Sequence, residues 1–70
     1  MRYMVVIEKG ETSYGAYVPD LPGCVAVGES ESEVKQLIQE AIEFHLEDLA
    51  VAGEKIPIPH STSDYVDIAA

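Results

Sequence analysis

The sequence predicts an α+β fold in the order β-β-β-α-β. Three observations carry that reading: short apolar runs before residue 30, turn-forming residues between them, and one unbroken amphipathic stretch afterwards. Residues 3–7, Tyr-Met-Val-Val-Ile, are apolar throughout and include three β-branched side chains. Such a run suits a strand covered on both faces, so one face is expected to need a cover other than the chain's own helix. Gly10, Glu11 and Thr12 read as a hairpin connection that returns the chain through residues 13–18. Next come Pro19, Asp20, Leu21, Pro22, Gly23 and Cys24. Pro22-Gly23 fits the centre of a type II turn, where proline pre-sets φ and glycine takes φ > 0 without strain. Asp20 is expected to accept hydrogen bonds from amides two residues on, and Leu21 to tuck the turn onto the sheet. A third strand over residues 25–28 completes an antiparallel meander.

Ser30 and Glu33 match a capping box, and Glu29, Glu31 and Glu33 place negative charge at the positive end of a helix dipole. The helix is expected to start near Glu31. It should end where Gly53 can adopt the left-handed conformation, a length near ~30 Å. Steps of ~100° put Val34, Leu37, Ile38, Ala41, Ile42, Leu49 and Ala52 on one stripe that packs on the sheet. Glu33, Gln36, Glu40, Glu43 and Glu47 lie opposite, facing solvent or a partner. Phe44 and Leu46 flank the apolar stripe and are expected to seal its edges. His45 falls near the middle of the stripe, as a core histidine satisfied by one hydrogen bond. Ile56-Pro57-Ile58-Pro59 holds too many prolines for a paired strand and should run extended over the surface. Residues 65–68, Tyr-Val-Asp-Ile, alternate and read as a short edge strand.

Seventy residues allow one domain, spanning 1–70. A chain this small buries only roughly 60% of its unfolded surface, and its core rarely supplies more than ~3–5 kcal/mol. A single cysteine excludes an intrachain disulfide, and no Cys/His cluster has zinc-ligand spacing. Self-association, as a dimer or tetramer, is the expected support. Thirteen acidic residues against four basic ones give a formal net charge of −9. That balance argues against binding nucleic acid through phosphate neutralisation. It suits solubility, and equally a basic protein partner whose encounter it would speed. No segment reaches the ~18 consecutive apolar residues of a membrane span. No signal peptide opens the chain, and with its lone cysteine a cytoplasmic location is expected.

Candidates for chemistry are few. A two-metal nuclease would need carboxylates converging on the ions, and only Glu8, Asp20 and Asp67 lie on or beside strands. Nothing in the sequence brings them together. Cys24 has no signal pairing it with His45 or His60 as nucleophile and base. Gly10, Gly15 and Gly28 form no phosphate-cradling run. The residues point to a non-catalytic scaffold without metal or cofactor.

Taken in order, Tyr14-Gly15-Ala16-Tyr17-Val18, the Pro-Asp-Leu-Pro-Gly-Cys turn, Gly28-Glu29-Ser30 before the helix and Ile56-Pro57-Ile58-Pro59 after it resemble the HicB-type antitoxin family over nearly the whole chain. The resemblance implies a truncated ribonuclease-H-like arrangement. It also implies a non-enzymatic antitoxin that covers the catalytic histidine of a small basic HicA-type toxin, a messenger-RNA-cleaving enzyme. Glu33, Glu40, Glu43 and Glu47 are then the residues expected to attract that partner. The second, DNA-binding domain of many family members has no counterpart in these residues, so operator binding is not carried over. Two rivals remain: a stand-alone oligomeric regulator of the same fold, and a residual metal-dependent nuclease.

Overall fold

Local chemistry at two residues sets the bounds of the helix. The structure, a computed structural model, describes residues 1–69. In it α1 spans Glu31–Val51. Ser30 is extended at φ −139° and ψ 163°, and its Oγ accepts from the Glu33 amide at 3.1 Å. The Glu33 carboxylate accepts in turn from the Glu29 amide at 3.0 Å. The capping box is therefore offset by one residue, the carboxylate holding the amide that precedes Ser30. At the far end Gly53 takes φ +71°. Its amide donates to the Ala50 carbonyl at 3.1 Å and the Glu54 amide to the Leu49 carbonyl at 2.9 Å, a Schellman motif.

Three strands, β1 (Val6–Lys9), β2 (Tyr14–Tyr17) and β3 (Val25–Gly28), form an antiparallel sheet in the order β1-β2-β3. The register aligns Ile7, Ala16 and Ala26 across it. These three pack toward the helix. Val6, Tyr17 and Val25 are likewise aligned, one residue out of phase, and face the other way. The first strand differs from the expected 3–7. Val6 pairs with Tyr17, and beyond Tyr17 the chain turns away at Val18, so residues 3–5 have no partner. Tyr3 and Val5 still pack against the core without being paired. An apolar run marks burial, and pairing needs a neighbour as well. The expected fourth strand at 65–68 is absent among the described residues. Tyr65, Val66 and Ile68 stand 96%, 77% and 78% exposed, with no strand of this chain beside them.

The buried core is Ala16, Val18, Leu21, Cys24, Val34 and Ile38, with Leu21 and Val34 fully enclosed. Only the first half of α1 contributes to it. A helix of 21 residues is about 31 Å long, whereas four-residue strands reach only about 13 Å. The helix packs chiefly over β3 and β2 and little over β1. Its second half overhangs, so Ala41, Ile42 and Leu46 are only partly covered. His45 falls in that overhang and is half-buried rather than central to the core. Leu46 packs partly against the core but lines an open groove instead of sealing the edge; Phe44 does neither, and is 69% exposed.

Gly28 sets the closest approach of sheet and helix. A Cβ there would lie 2.9 Å from the Val34 nitrogen and 3.1 Å from its Cα. Because those are backbone atoms of a capped first turn, they cannot swing aside. Gly28→Ala is expected to destabilise the fold by about 1–3 kcal/mol, the usual range for overpacking. Urea unfolding checks it, and an unchanged midpoint would mean that the helix start yields.

Candidate partner-binding surface

The helix face turned away from the sheet carries Glu33, Glu40, Glu43 and Glu47, all exposed. At ~100° per residue Glu33, Glu40 and Glu47 form one row, with Glu43 on its flank. They are not equivalent. The Glu33 carboxylate is held by the Glu29 amide in the cap. Glu40 accepts from Gln36 Nε2 at 3.5 Å and Glu43 from Gln39 Nε2 at 3.3 Å. Among the described residues the one contact between a carboxylate and a basic side chain is His60–Asp20, so no lysine or arginine neutralises the row. The last helical turn holds no basic side chain. Phe44 lies one turn from both Glu40 and Glu47, and Val51, 84% exposed, continues the same sector. An exposed aromatic set among carboxylates was missed from the sequence, where its angular position resembles that of an edge-sealing residue.

The turn that precedes β3 is built from two successive reversals. Leu21 N–H donates to the Val18 carbonyl at 3.1 Å and Cys24 N–H to the Leu21 carbonyl at 3.1 Å, while Val18 N–H and the Cys24 carbonyl close the loop at 3.2 Å. Gly23 at φ +84° occupies the position where a type II turn requires positive φ. Leu21 beneath it is fully buried.

Asp20 has a different partner from the expected local one. Its Oδ2 accepts from the amides of His60 and Ser61, each at 2.9 Å. Its Oδ1 accepts from Ser61 Oγ at 2.5 Å and lies 3.3 Å from His60 Nε2. The side chain is buried, yet every oxygen is engaged. Those hydrogen bonds, the Ser61 hydroxyl's foremost and then the Ser61 and His60 amides', hold the carboxyl at about 2 instead of 3.8. A carboxylate after β2 thus straps down a segment 40 residues further along. A second tie comes from the Tyr3 hydroxyl, which donates to the Pro57 carbonyl.

These contacts commit Asp20 to the strap. Glu8 on β1 and Asp67 in the tail are exposed. Among the described residues no group of three or more His, Cys, Asp or Glu side chains is placed to hold a metal ion. Cys24 is buried, and burial pushes its thiol up, the opposite of an activated nucleophile. No helix of the described residues is long and apolar enough to cross a membrane.

Three known proteins are similar to this chain in sequence. An uncharacterised 14.9 kDa protein of Haemophilus phage HP1 is 36% identical over 67 residues, covering 96% of this chain and 50% of its own length. A UPF0150 protein of Helicobacter pylori is 54% identical over 44 residues, 63% of this chain and 61% of that protein. A UPF0150 protein of Synechocystis is 38% identical over 56 residues, 79% of this chain and 71% of that protein. The chain thus spans half the length of the phage protein and about three-fifths of the Helicobacter one. No solved structure matches it. A family model describing the HicB-like antitoxin of bacterial toxin–antitoxin systems matches residues 3–69. That match takes in the sheet, the turn, the helix and the strapped segment, and the chain belongs to the HicB-like antitoxin family.

Proposed function

We propose that this chain is a non-catalytic antitoxin module that binds a small basic HicA-type toxin and blocks its cleavage of messenger RNA by covering its active site. The observation that carries the reading is the un-neutralised row on α1, where Glu40 and Glu47 lie one turn on either side of exposed Phe44, with Glu43 on the row's far flank, in a chain of net charge −9. Its layout suits a binding surface: an aromatic residue can supply the anchor, and the neighbouring carboxylates can steer and orient a cationic partner. Glu33, spent on the helix cap, would add charge rather than a direct contact. Family membership supports a toxin as the partner. The β-β-β-α order would then be a truncated ribonuclease-H-like arrangement in which Asp20, one of the acids that a nuclease could use, is committed to the strap. A cytoplasmic location suits a partner that acts on messenger RNA.

Electrostatic steering acts mainly on encounter, so the association rate should fall steeply as salt rises while dissociation changes less. Glu40→Lys combined with Glu47→Lys should slow association further, and Phe44→Ala should speed dissociation. Surface plasmon resonance against the toxin checks all three. An association rate indifferent to salt and to the charge reversal would remove α1 from the interface.

A further inference from the structure

A groove of about 530 Å³ runs between α1 and the amino-terminal segment that leads into β1. Tyr3, Val5 and Ile7 form one wall, Ile38, Ile42 and Leu46 the other. It exists because α1 covers β3 and β2 but hardly reaches β1, the edge of the sheet. That edge pairs only with β2 and leaves its outer backbone groups free. We infer that this groove receives residues 64–68 of a second copy of the chain, added as a strand alongside β1 in a reciprocal dimer.

Three observations select that occupant. The segment alternates, and Tyr65, Val66 and Ile68 are 96%, 77% and 78% exposed, so its side chains lie on no surface of their own copy. In an extended strand Val66 and Ile68 share one face, spaced to meet a row such as Tyr3, Val5 and Ile7. Charge agrees as well. The groove's charged residues are Arg2, Lys35 and Glu43, a net positive site containing two of the chain's four basic residues. The segment brings Asp64 and Asp67. Area agrees too. A compact monomer of this size exposes roughly 4,300 Å², against 5619 Å² here. The excess of about 1,300 Å² per chain would, if buried in both partners, match an obligate dimer interface. Within its own copy the segment that reaches the groove's end is 59–63, beside Arg2, Tyr3 and Met4, and the residues after it, Tyr65, Val66 and Ile68, stand exposed rather than in the groove.

Sedimentation equilibrium of the full chain tests the inference. Wild type is expected to be dimeric. Val66→Asp with Ile68→Asp, at sites exposed in the monomer and so harmless to its fold, should weaken the dimer roughly a hundredfold or more by losing two aliphatic contacts. Arg2→Glu with Lys35→Glu should weaken it several-fold, and adding Asp64→Lys with Asp67→Lys should restore it. That rescue is particular to groove and tail meeting each other. A wild type that stays monomeric throughout the dilution series would overturn the inference, as expected if the tail folded back onto its own groove. So would a dimer that survives the tail substitutions and is broken instead by Val25→Asp with Val27→Asp on the sheet's outer face.

Discussion

Truncating Leu21 to alanine is expected to leave much of the protein unfolded at room temperature. Leu21 is fully buried, at the point where the turn, the sheet and the first half of α1 meet. Removing a leucine side chain from such a site costs about 2–5 kcal/mol, the transfer term plus the cavity left behind. Both reversals of the turn pass through Leu21's own backbone, so the site has little freedom to collapse and the cost should lie toward the upper end. Stability of a chain this short is roughly 3–5 kcal/mol. The loss is therefore comparable with the whole. Val27→Ala, at a position 67% exposed, is the control and should change stability by less than about 0.5 kcal/mol. Urea unfolding followed by circular dichroism measures both. A Leu21→Ala variant that unfolds at the wild-type midpoint would mean that the turn does not close the core.

Asp20→Asn is expected to release the strapped segment. Each carboxylate oxygen faces donors: two backbone amides at Oδ2 and the Ser61 hydroxyl at Oδ1. Asparagine offers one oxygen and one NH₂, so at least one of these sides meets a donor with a donor. The amides of His60 and Ser61 should then exchange with solvent far faster than in wild type, while those inside α1 stay protected. The pH dependence has a definite sign. The carboxyl is lowered from 3.8 to about 2 in the folded state. Its stabilising contribution is therefore complete above its unfolded value and is lost as pH falls through the folded one. Wild type should keep the strap at pH 4 and lose it toward pH 2. Other carboxylates titrate in the same window, so the useful quantity is wild type minus Asp20→Asn, which should shrink as pH falls. Identical exchange at His60 and Ser61 in the two proteins would show that Asp20 does not hold the segment.

What was legible in the sequence was local. Ser30, Glu33 and Gly53 bound the helix because caps are made by side chains and dihedrals within a few residues of each other. Pro22-Gly23 marked the turn for the same reason. Contacts over distance were not legible. The Asp20 strap joins residues 40 and 41 apart, and nothing near Asp20 distinguishes a carboxylate turned toward its own loop from one turned toward Ser61. Gly28 matters through the backbone of Val34, which only the packed structure brings close. Residues 3–7 and 65–68 misled in opposite ways. The first run is covered by the core but only partly paired; the second alternates like a strand with no neighbour to pair with. His45 and Phe44 were misplaced by one shared assumption, that the helix is covered along its whole length. A sheet of four-residue strands covers only half of it.

The acidic face around Phe44 followed from helical spacing, but its composition did not. Spacing placed the carboxylates together, whereas the exposure of Phe44 among them depends on how far the helix overhangs the sheet. Whether that face neutralises a toxin is decided most directly by titrating the purified chain into a ribonuclease assay of a small basic HicA-type toxin. Activity should fall linearly and vanish at a fixed ratio of the two chains. Glu40→Lys with Glu47→Lys, or Phe44→Ala, should shift the curve to higher antitoxin concentration. Undiminished cleavage of messenger RNA at every ratio, with both proteins folded, would contradict the antitoxin reading.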